Sequence, residues 1–427
     1  MKTMLIWAIL IVSLPLLAYG NDRQVPPVEG LVHPRVSASV ITVGGPEADL
    51  PGFDSKSIQL ALDAIKTRGG GVVRLSPGTF DIVGPVRLYS NVTLEGAGAE
   101  TVLRKSEGFR TQFVIDADYG MLKVTVKDVS GFQEGAGIQL FDDLHGQGWN
   151  TTTAVITSIE GNILYIDKPT KHDYIAAENG VISNAFPIVE GIEVENVRIA
   201  DLVVEGDSDT NDYINGCVGG GVYLHKAKDC LVEGVHVRNF NGDSFSWQVT
   251  ENITVRNCEA SGGGGLGFHP GTGSHNSVVE NNVSHHNSQD GIFLCWRVQH
   301  GVFRNNKVFA NERHGISIGH KDTDNLFVGN HVYENGRHGV FFRDENEQNG
   351  GHRNKFHNNI IENNGTLESP GYGFYVGGQT RDILIEKNTV RSTGKGNQEA
   401  AVWVGSKAKR ITVRDNEVSG HETLVKE

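Results

Sequence analysis

Side chains able to do acid–base chemistry are concentrated in one part of the 427-residue chain. Thirteen of the seventeen histidines lie between His225 and His357, under a third of the length. Imidazoles titrate near neutral pH. With Asp, Lys and Arg beside them, they can supply a general acid, a general base and a counter-charge. We therefore expect an active site, if there is one, in this central stretch.

The same stretch is built from a repeated segment. The repeats begin GVYLH at 221, SFSWQ at 244, GFHPG at 267, GIFLC at 291, GISIG at 315, GVFFR at 339, GFYVG at 373 and AVWVG at 401. Each is predicted to be a short strand, a polar turn, a second short strand and an Asn-rich turn. A second series marks that last turn: Asn282, Asn306, Asn330, Asn359, Asn388 and Asn416. A single segment cannot bury its apolar face alone, so the repeats must stack as coils with strands about 4.8 Å apart.

The repeat length selects the fold class. No leucine-rich pattern appears, and a propeller blade needs a longer period, so an all-β parallel β-helix is predicted. Apolar residues at the first and third positions after the opening glycine, such as Ile316 and Ile318, should point into its core. Asp54 begins a predicted amphipathic helix that caps the first coil. Residues 121–185 do not follow the repeat and are interpreted as an insertion with a β-hairpin around Gly161–Asn162.

The chain ends and the charge indicate where the protein acts. Residues 1–20 read as a secretory signal peptide, because their apolar run is too short to span a membrane comfortably. Residues 21–52 are predicted to be an N-terminal extension, and residues 53–427 the β-helix domain. The net charge of −13 argues against nucleic acid or an anionic membrane surface as a partner. The protein is therefore predicted to be secreted, with its oligomeric state open.

In-register stacking would bring equivalent positions of different repeats together on one side of the solenoid. The second position after the opening residue should face outward as an exposed strip, and it is occupied by Tyr223, Ser246, His269, Phe293, Ser317, Phe341, Tyr375 and Trp403. The candidate catalytic residues on that side are Asp290, His314, His320, Lys321, Asp322, Arg343 and Asp344. The candidate substrate-binding residues are His269, Phe293, Trp296, Arg297, His338, Phe341, Glu345 and Tyr375. An ion-pair ladder or turn chemistry explains any single one of them equally well. The band as a whole favours function, because exposed aromatic side chains in adjacent coils need a partner.

The stretch GGGVVRLSPGTF and the later coils beginning Asp-Gly-Ile resemble the pectate-lyase-like superfamily of right-handed parallel β-helices. The resemblance covers nearly all of the mature chain and implies that fold. The superfamily includes lyases, glycoside hydrolases, epimerases and adhesins, so it implies no single reaction. His314-Gly315 is similar to the Gly-His-Gly coil of polygalacturonases and Asp290-Gly291 to their aspartate coil. Leu266 stands where those enzymes have Asn-Thr-Asp, and Phe268-His269-Pro270 is not the Asp-Pro-His signature of secreted alginate epimerases.

Two catalytic hypotheses and one non-catalytic hypothesis follow. β-Elimination on an anionic, uronic-acid polysaccharide would use Arg297 and Arg343 to neutralise the carboxylate. Lys321 or His320 would be its base. The acid would come from one of three side chains: His314, His338 or Tyr375.

Glycoside hydrolysis would instead pair Asp290 with Asp322, or Asp322 with Asp344. The third hypothesis is a glycan-binding solenoid without catalysis. Elimination is favoured because of the basic residues.

No cofactor or metal is predicted. The acidic segment 207–212 has the first ligand spacings of a calcium loop, but Asp212 stands where such loops need glycine. It is interpreted as a polar loop. The four cysteines, Cys217, Cys230, Cys258 and Cys295, include no C-x-x-C pair and are expected to be buried or half-buried free thiols.

Overall fold

The computed structural model describes residues 39–146, 148–421 and 424–426. The predicted signal peptide and the first part of the predicted extension lie outside these residues. Within them, no helix is long and apolar enough to cross a membrane. The described residues form long parallel sheets, one α-helix and an antiparallel insert.

The first coils are closed by the predicted helix. Their strands are β1 (Val40–Gly44), β2 (Leu50–Pro51), β3 (Gly71–Leu75), β4 (Gly78–Ile82), β5 (Val86–Arg87), β6 (Val92–Glu95) and β7 (Thr101–Lys105). Helix α1 (Ser55–Thr67) begins where the Asp54 carboxylate accepts a hydrogen bond from Ser57 N at 2.7 Å. Its apolar face, with Ile58 and Leu62, is fully buried in the main core. Because β1 pairs in parallel with β3, the sheet begins within the predicted extension.

The insertion is an antiparallel sheet with its own hydrophobic core. Its strands are β8 (Arg110–Gln112), β9 (Lys123–Thr125), β10 (Gly137–Phe141), β11 (Thr152–Glu160), β12 (Ile163–Ile166) and β13 (Val181–Ser183). The predicted hairpin is confirmed: β11 and β12 are antiparallel neighbours joined through Gly161, whose φ of 61° suits a tight turn. The insert starts before residue 121, at β8.

One sheet of the solenoid carries the opening strand of every repeat. Its members after β5 are β14 (Val189–Ile192), β16 (Val222–His225), β18 (Phe245–Gln248), β21 (Phe268–Pro270), β24 (Ile292–Phe293), β27 (Ile316–Ile318), β30 (Val340–Phe342), β33 (Gly371–Val376), β36 (Gln398–Val404) and β39 (Val425–Lys426). The predicted register is confirmed, since Phe268 pairs with Ile292, Ile292 with Ile316 and Ile316 with Val340.

From residue 244 onward the rest of each repeat forms two strands, so the prediction of two strands per coil was wrong for those repeats. In the two coils before them this part is one long strand, Arg198–Glu205 or Leu231–Arg238. These strands are β15 (Arg198–Glu205), β17 (Leu231–Arg238), β19 (Thr254–Arg256), β20 (Glu259–Ser261), β22 (Val278–Glu280), β23 (Val283–His285), β25 (Val302–Arg304), β26 (Lys307–Phe309), β28 (Leu326–Val328), β29 (His331–Tyr333), β31 (Lys355–His357), β32 (Ile360–Glu362), β34 (Arg381–Glu386), β35 (Thr389–Arg391), β37 (Lys409–Arg414) and β38 (Glu417–Ser419). Between β22 and β23, Asn281 is left-handed with a φ of 55°, as is Asn305 one coil on. This bend turns one predicted strand into two.

The core is a set of stacked apolar columns. Ile316 and Ile318 are buried as predicted, and so are their counterparts in the adjacent coils. Phe303 stacks on Phe327 with ring centres 4.7 Å apart. This packing requires glycine at the opening position, because a Cβ on Gly315 would lie 2.2 Å from Val332 Cγ1.

The recurring asparagines form a buried hydrogen-bonded ladder. Asn306 Nδ2 donates to Val279 O at 2.9 Å and to Asn330 Oδ1 at 2.9 Å. Its Oδ1 accepts from Asn282 N at 3.1 Å. Each amide thus satisfies the backbone at the bend of the preceding coil and hydrogen-bonds to the asparagine side chain of the next coil, which fixes the register.

Asn306→Ala should lower the free energy of unfolding by about 3 kcal/mol, because it orphans buried groups on two coils. The matched control is Lys307→Ala, whose exposed side chain should change stability by no more than about 0.5 kcal/mol. Denaturant midpoints of the two variants and the wild type measure the difference. Equal midpoints for both variants would contradict a stabilising ladder.

Candidate functional site

The residues that precede the opening glycines form a column, and their side chains accept hydrogen bonds from backbone N–H groups of the next coil. Asp290 Oδ1 accepts a hydrogen bond from His314 N at 2.8 Å, and His314 Nδ1 accepts from His338 N at 3.3 Å. His338 Nδ1 accepts from Tyr372 N at 3.1 Å. Burial lowers the pKa of His314 to about 2 and that of His338 to about 4. Both imidazoles are therefore neutral at physiological pH, which makes them weak general acids.

The carboxylates of the proposed hydrolytic pair are enclosed. Asp290 and Asp322 have no exposed surface. Asp322 accepts from Val298 N at 2.9 Å and from Gly319 N at 3.0 Å. Burial raises the pKa of Asp290, and it raises the pKa of Asp322 to about 7. The structure therefore places both groups inside the solenoid wall rather than on its surface.

Arg343 is committed to neighbouring coils. Its Nη1 donates to Ser317 Oγ at 2.9 Å and its Nη2 to Leu294 O at 2.6 Å. Nη2 also lies 3.3 Å from Asp322 Oδ2, and the guanidinium lies 4.4 Å from the centre of the Phe293 ring. A cation bound by so many partners clamps adjacent repeats together and has little capacity left for a ligand.

The predicted outward position, two residues after the opening glycine, is exposed in only part of the solenoid. Phe293, Phe341 and Tyr375 are half-exposed, as expected. The positions buried instead are Tyr223, Ser246, His269 and Ser317. Residues 206–220 cover the first two: Ser246 Oγ donates to Gly216 O at 2.6 Å and Tyr223 Oη to Cys217 O at 2.6 Å. For these four positions the predicted exposed strip was wrong.

An aromatic stack runs along the uncovered part of this face. Phe341 lies 4.1 Å from His314, and Tyr375 lies 4.8 Å from His338, between ring centres. Tyr375 also stacks on Trp403 at 4.2 Å. Burial raises the pKa of Tyr375 to about 12, with Asp344 contributing, so its phenol keeps a proton. Tyr375 Oη lies 3.4 Å from Asp344 Oδ2.

Two adjacent coils turn their corner with Trp296, Arg297, His320 and Lys321, which we call the basic corner. Trp296 and His320 are equivalent positions, and their rings stack at 4.7 Å with an angle of 6° between planes. Arg297 N donates to His320 O at 3.0 Å, so Arg297 lies beside Lys321. His320 Nδ1 lies 2.8 Å from Glu345 Oε1 on the next coil. The four residues of the basic corner were all predicted site residues, and His320 connects them to a fifth, Glu345.

The backbone of the basic corner is strained. The φ angles are 61° at Trp296, 67° at Arg297, 49° at His320 and 69° at Lys321. Each left-handed residue with a long side chain costs about 1 kcal/mol or more. Such residues also occur at the corners of earlier coils, as at Lys226 and Val249, so this backbone is part of the solenoid's turn geometry. Beyond Trp296, the equivalent corner of the previous coil contains Gly273, where a Cβ would meet nothing within 4 Å. One side of the corner is therefore open.

Arg297 and Lys321 differ from most arginines of the solenoid in their surroundings. Most arginines are held by carboxylates, as Arg256 is by Glu233 and Arg304 by Glu280. In the part of the chain that the structure describes, neither Arg297 nor Lys321 has a carboxylate within ion-pair distance. Arg297 is exposed, and Trp296 next to it is 39% exposed. These side chains are available to a ligand.

Among the described residues, no three His, Cys, Asp or Glu side chains converge in a way that could hold a metal ion. The segment 207–212 is tied to its surroundings by hydrogen bonds. Thr210 Oγ1 donates to Asp207 at 2.5 Å, and Arg110 lies 3.2 Å from Asp212. All four cysteines are free thiols, with Cys230 and Cys258 buried.

Arg343→Met should destabilise the fold by about 3–5 kcal/mol, because it leaves Asp322 buried without its cation. Arg297→Met removes an exposed, unpaired guanidinium and should change stability by no more than about 0.5 kcal/mol. Thermal and denaturant unfolding of the two variants measure the contrast. Equal losses of stability would contradict the distinction between a clamping and a free arginine.

The raised pKa of Asp322 predicts a pH dependence. Between about pH 4 and pH 7 the folded chain holds a proton on this carboxyl that the unfolded chain has released. Wild-type stability should therefore rise relative to Asp322→Asn as the pH falls from about 7 towards 4, and the difference should be constant above that window. Denaturant titrations of both proteins across the range measure it. A pH-independent difference would show that Asp322 does not titrate there.

Comparisons with known proteins agree with this architecture. The sequence matches the family described as "Right handed beta helix region" over residues 200–356 and 319–418, together just over half of the chain. A search of curated proteins finds no match.

Solved structures show the same fold at low identity. The A-module of mannuronan C-5 epimerase AlgE4 from Azotobacter vinelandii matches with a TM-score of 0.56 and 19% identity, covering 87% of this chain and 93% of the module. An exopolygalacturonase from Thermotoga maritima matches with a TM-score of 0.54 and 14% identity, covering 91% and 94%. The neighbours are carbohydrate-active enzymes, and at these identities the likeness concerns the fold. The family match covers just over half of the chain and its coils pair in parallel, so the chain belongs to the right-handed β-helix family.

Proposed function

We propose that the protein binds an anionic polysaccharide at the basic corner and cleaves it by β-elimination. The observation that carries this proposal is the free, exposed guanidinium of Arg297 beside Trp296, with Lys321 next to it. A guanidinium binds a carboxylate in two parallel hydrogen bonds, and an indole face stacks on a sugar ring. A uronic acid residue offers both groups.

His320 is the better placed of the two predicted bases. Burial and the nearby charge of Arg343 lower its pKa, with Glu345 opposing, so it is neutral at physiological pH. Glu345 Oε1 lies beside Nδ1 and Trp296 packs on the ring face, which leaves Nε2 to accept a proton. Lys321 then serves as a second cation on the substrate.

The elimination can be written with these side chains. Arg297 neutralises the uronate carboxylate, which acidifies the neighbouring C5 proton. His320 removes that proton, the bond from C4 to the glycosidic oxygen breaks, and a C4–C5 double bond forms. Tyr375, which keeps its proton and lies beside Asp344, supplies a proton to the leaving oxygen.

The hydrolytic alternative has less support, because Asp290 and Asp322 are enclosed in the wall. Of the predicted carboxylates, Asp344 is exposed and Glu345 is half-buried against His320.

The non-catalytic alternative predicts equivalent polar faces along the solenoid. The basic corner occupies two coils only, since its counterparts are Thr272 and Gly273 on one side and Asp344 and Glu345 on the other. Secretion, proposed from the sequence, would bring the protein to such polymers.

The wild-type mature chain should release an unsaturated, ultraviolet-absorbing product from at least one uronate polymer, and none from neutral glucans. Arg297→Gln should lower kcat/KM about 100-fold, and His320→Gln should lower kcat about 100-fold or more. Lys307→Gln, which removes a cation from another face, is the matched control and should be unchanged.

The competing functions give different results in the same assay. New reducing ends without absorbance would show hydrolysis. Tight binding without either product would show a glycan-binding protein. Elimination that is unaffected by Arg297→Gln would show that the reaction occurs elsewhere on the solenoid.

A further inference from the structure

Two arginines lie just before adjacent opening strands, at the opposite end of these strands from the basic corner. Arg313 and Arg337, which we call the arginine pair, occupy equivalent positions, and Arg337 N donates to Arg313 O at 2.8 Å. Arg337 is exposed, and the Arg313 side chain is 43% exposed. Burial is the main cause of the low pKa of His314, and both guanidiniums contribute to it, so they lie near that ring. The arginine pair therefore reaches the surface beside the opening strands.

The charges of the arginine pair are poorly neutralised. In the described part of the chain, Arg337 has no side-chain hydrogen bond and no ion pair. Within the same residues, the one carboxylate at ion-pair distance from Arg313 is the buried Asp290, 3.9 Å away. Many arginines of the solenoid instead face a carboxylate on the adjacent coil, as Arg304 faces Glu280. Like charges opposite each other on neighbouring strands destabilise a sheet, so a bound anion would stabilise the pair.

The arginine pair and the basic corner share a coil of the solenoid. Arg313 precedes the opening strand Ile316–Ile318 and Lys321 follows it, so one cation lies beyond each end of that strand. Lys321 comes eight residues after Arg313. At about 3.3 Å per residue, the two backbones are at most about 26 Å apart. One extended chain of several sugar units can therefore contact both.

The surface between the two groups of cations is aromatic. Phe293 and Phe341 are half-exposed, and Ser317, which lies between them in the register, is buried. The Phe341 ring lies 4.1 Å from His314, and the Phe293 ring lies 4.4 Å from the Arg343 guanidinium, between centres. Sugar rings can pack on such exposed apolar side chains while their carboxylates reach the cations at either end.

Both groups of cations end after two coils. The position of the arginine pair is Gln289 in the coil before and Gly371 in the coil after, where a Cβ would lie 2.5 Å from Arg337 O. The basic corner is bounded in the same way by Gly273 and Asp344. A polyanion that ran along the solenoid axis would meet cations on only a short part of its length. A polyanion that lies across the opening strands meets cations at both ends.

We propose that the arginine pair is a second carboxylate subsite, and that a uronate polymer lies across the opening strands from the basic corner to Arg337. This rests on the proposed function, because the basic corner supplies the first subsite. A guanidinium binds a carboxylate in two parallel hydrogen bonds, and guanidiniums on adjacent coils can hold one carboxylate together. The second subsite selects polymers that carry charged sugars at both positions.

The experiment measures binding of oligouronates of increasing length, from disaccharide to octasaccharide, by calorimetry. Galacturonates and mannuronates are the two series of probes, and a His320→Gln background prevents turnover. Arg337→Gln should weaken binding of the octasaccharide about 10-fold and leave the disaccharide unchanged, because only the long chain reaches the arginine pair. Arg337→Lys keeps the charge and should recover part of the lost affinity.

Two further variants control for charge and for the direction of the chain. Lys307→Gln removes one cation from another face of the solenoid and should change neither affinity. Val249 is 43% exposed and lies two coils from Trp296 along the solenoid axis. In about 0.15 M salt, Val249→Asp should repel a chain that follows the axis and should not affect a chain that crosses the strands. Melting temperatures should be no lower than that of the parent, because these side chains are exposed.

Each outcome decides a separate point. Unchanged octasaccharide affinity in Arg337→Gln, or an equal loss for the disaccharide, would overturn the second subsite. Weaker binding by Val249→Asp would overturn the direction of the chain. If the wild type releases no unsaturated product while Arg297→Gln and Arg337→Gln both weaken the octasaccharide, the elimination fails and the second subsite stands. If neither series binds, both proposals are overturned.

Discussion

The structure depends on one constraint: every buried polar group of one coil must find its partner on the next coil in register. The asparagine ladder meets it for the bends, as Asn306 does between Asn282 and Asn330. A slip of one residue would expose the apolar face of every strand and separate these amides. Register is therefore fixed along the solenoid, and residues about 24 positions apart become neighbours. The candidate site exists only because the fixed register brings its residues, which are distant in the sequence, next to each other.

Some residues whose types suggest catalysis instead satisfy backbone hydrogen bonds between coils. His314 and His338 are acceptors for backbone N–H groups, and Asp290 caps the N–H of the next coil. Their repeated position before the opening glycine serves hydrogen-bond satisfaction. The basic corner differs, since two of its cations lack carboxylates among the described residues. The hydrogen-bonding residues and the proposed ligand-binding residues thus occupy separate columns of the same coils.

Sequence reasoning could identify the columns because the period alone dictates which residues are neighbours. It predicted the opening strands, the asparagine ladder, the capping helix and the hairpin of the insert. It did not find the third strand of the coils from residue 244 onward, because one left-handed residue such as Asn281 splits a continuous apolar–polar pattern. It also could not show that the segment around Gly216 covers His269, since that contact joins distant parts of the chain.

The most direct test is a crystal structure of the His320→Gln variant with a bound oligouronate. The expected structure has a uronate carboxylate paired with Arg297 and the same sugar stacked on Trp296 beside Gly273. A ligand seated on another face of the solenoid, or at the covered coils around Tyr223, would contradict the assignment of the basic corner as the binding site.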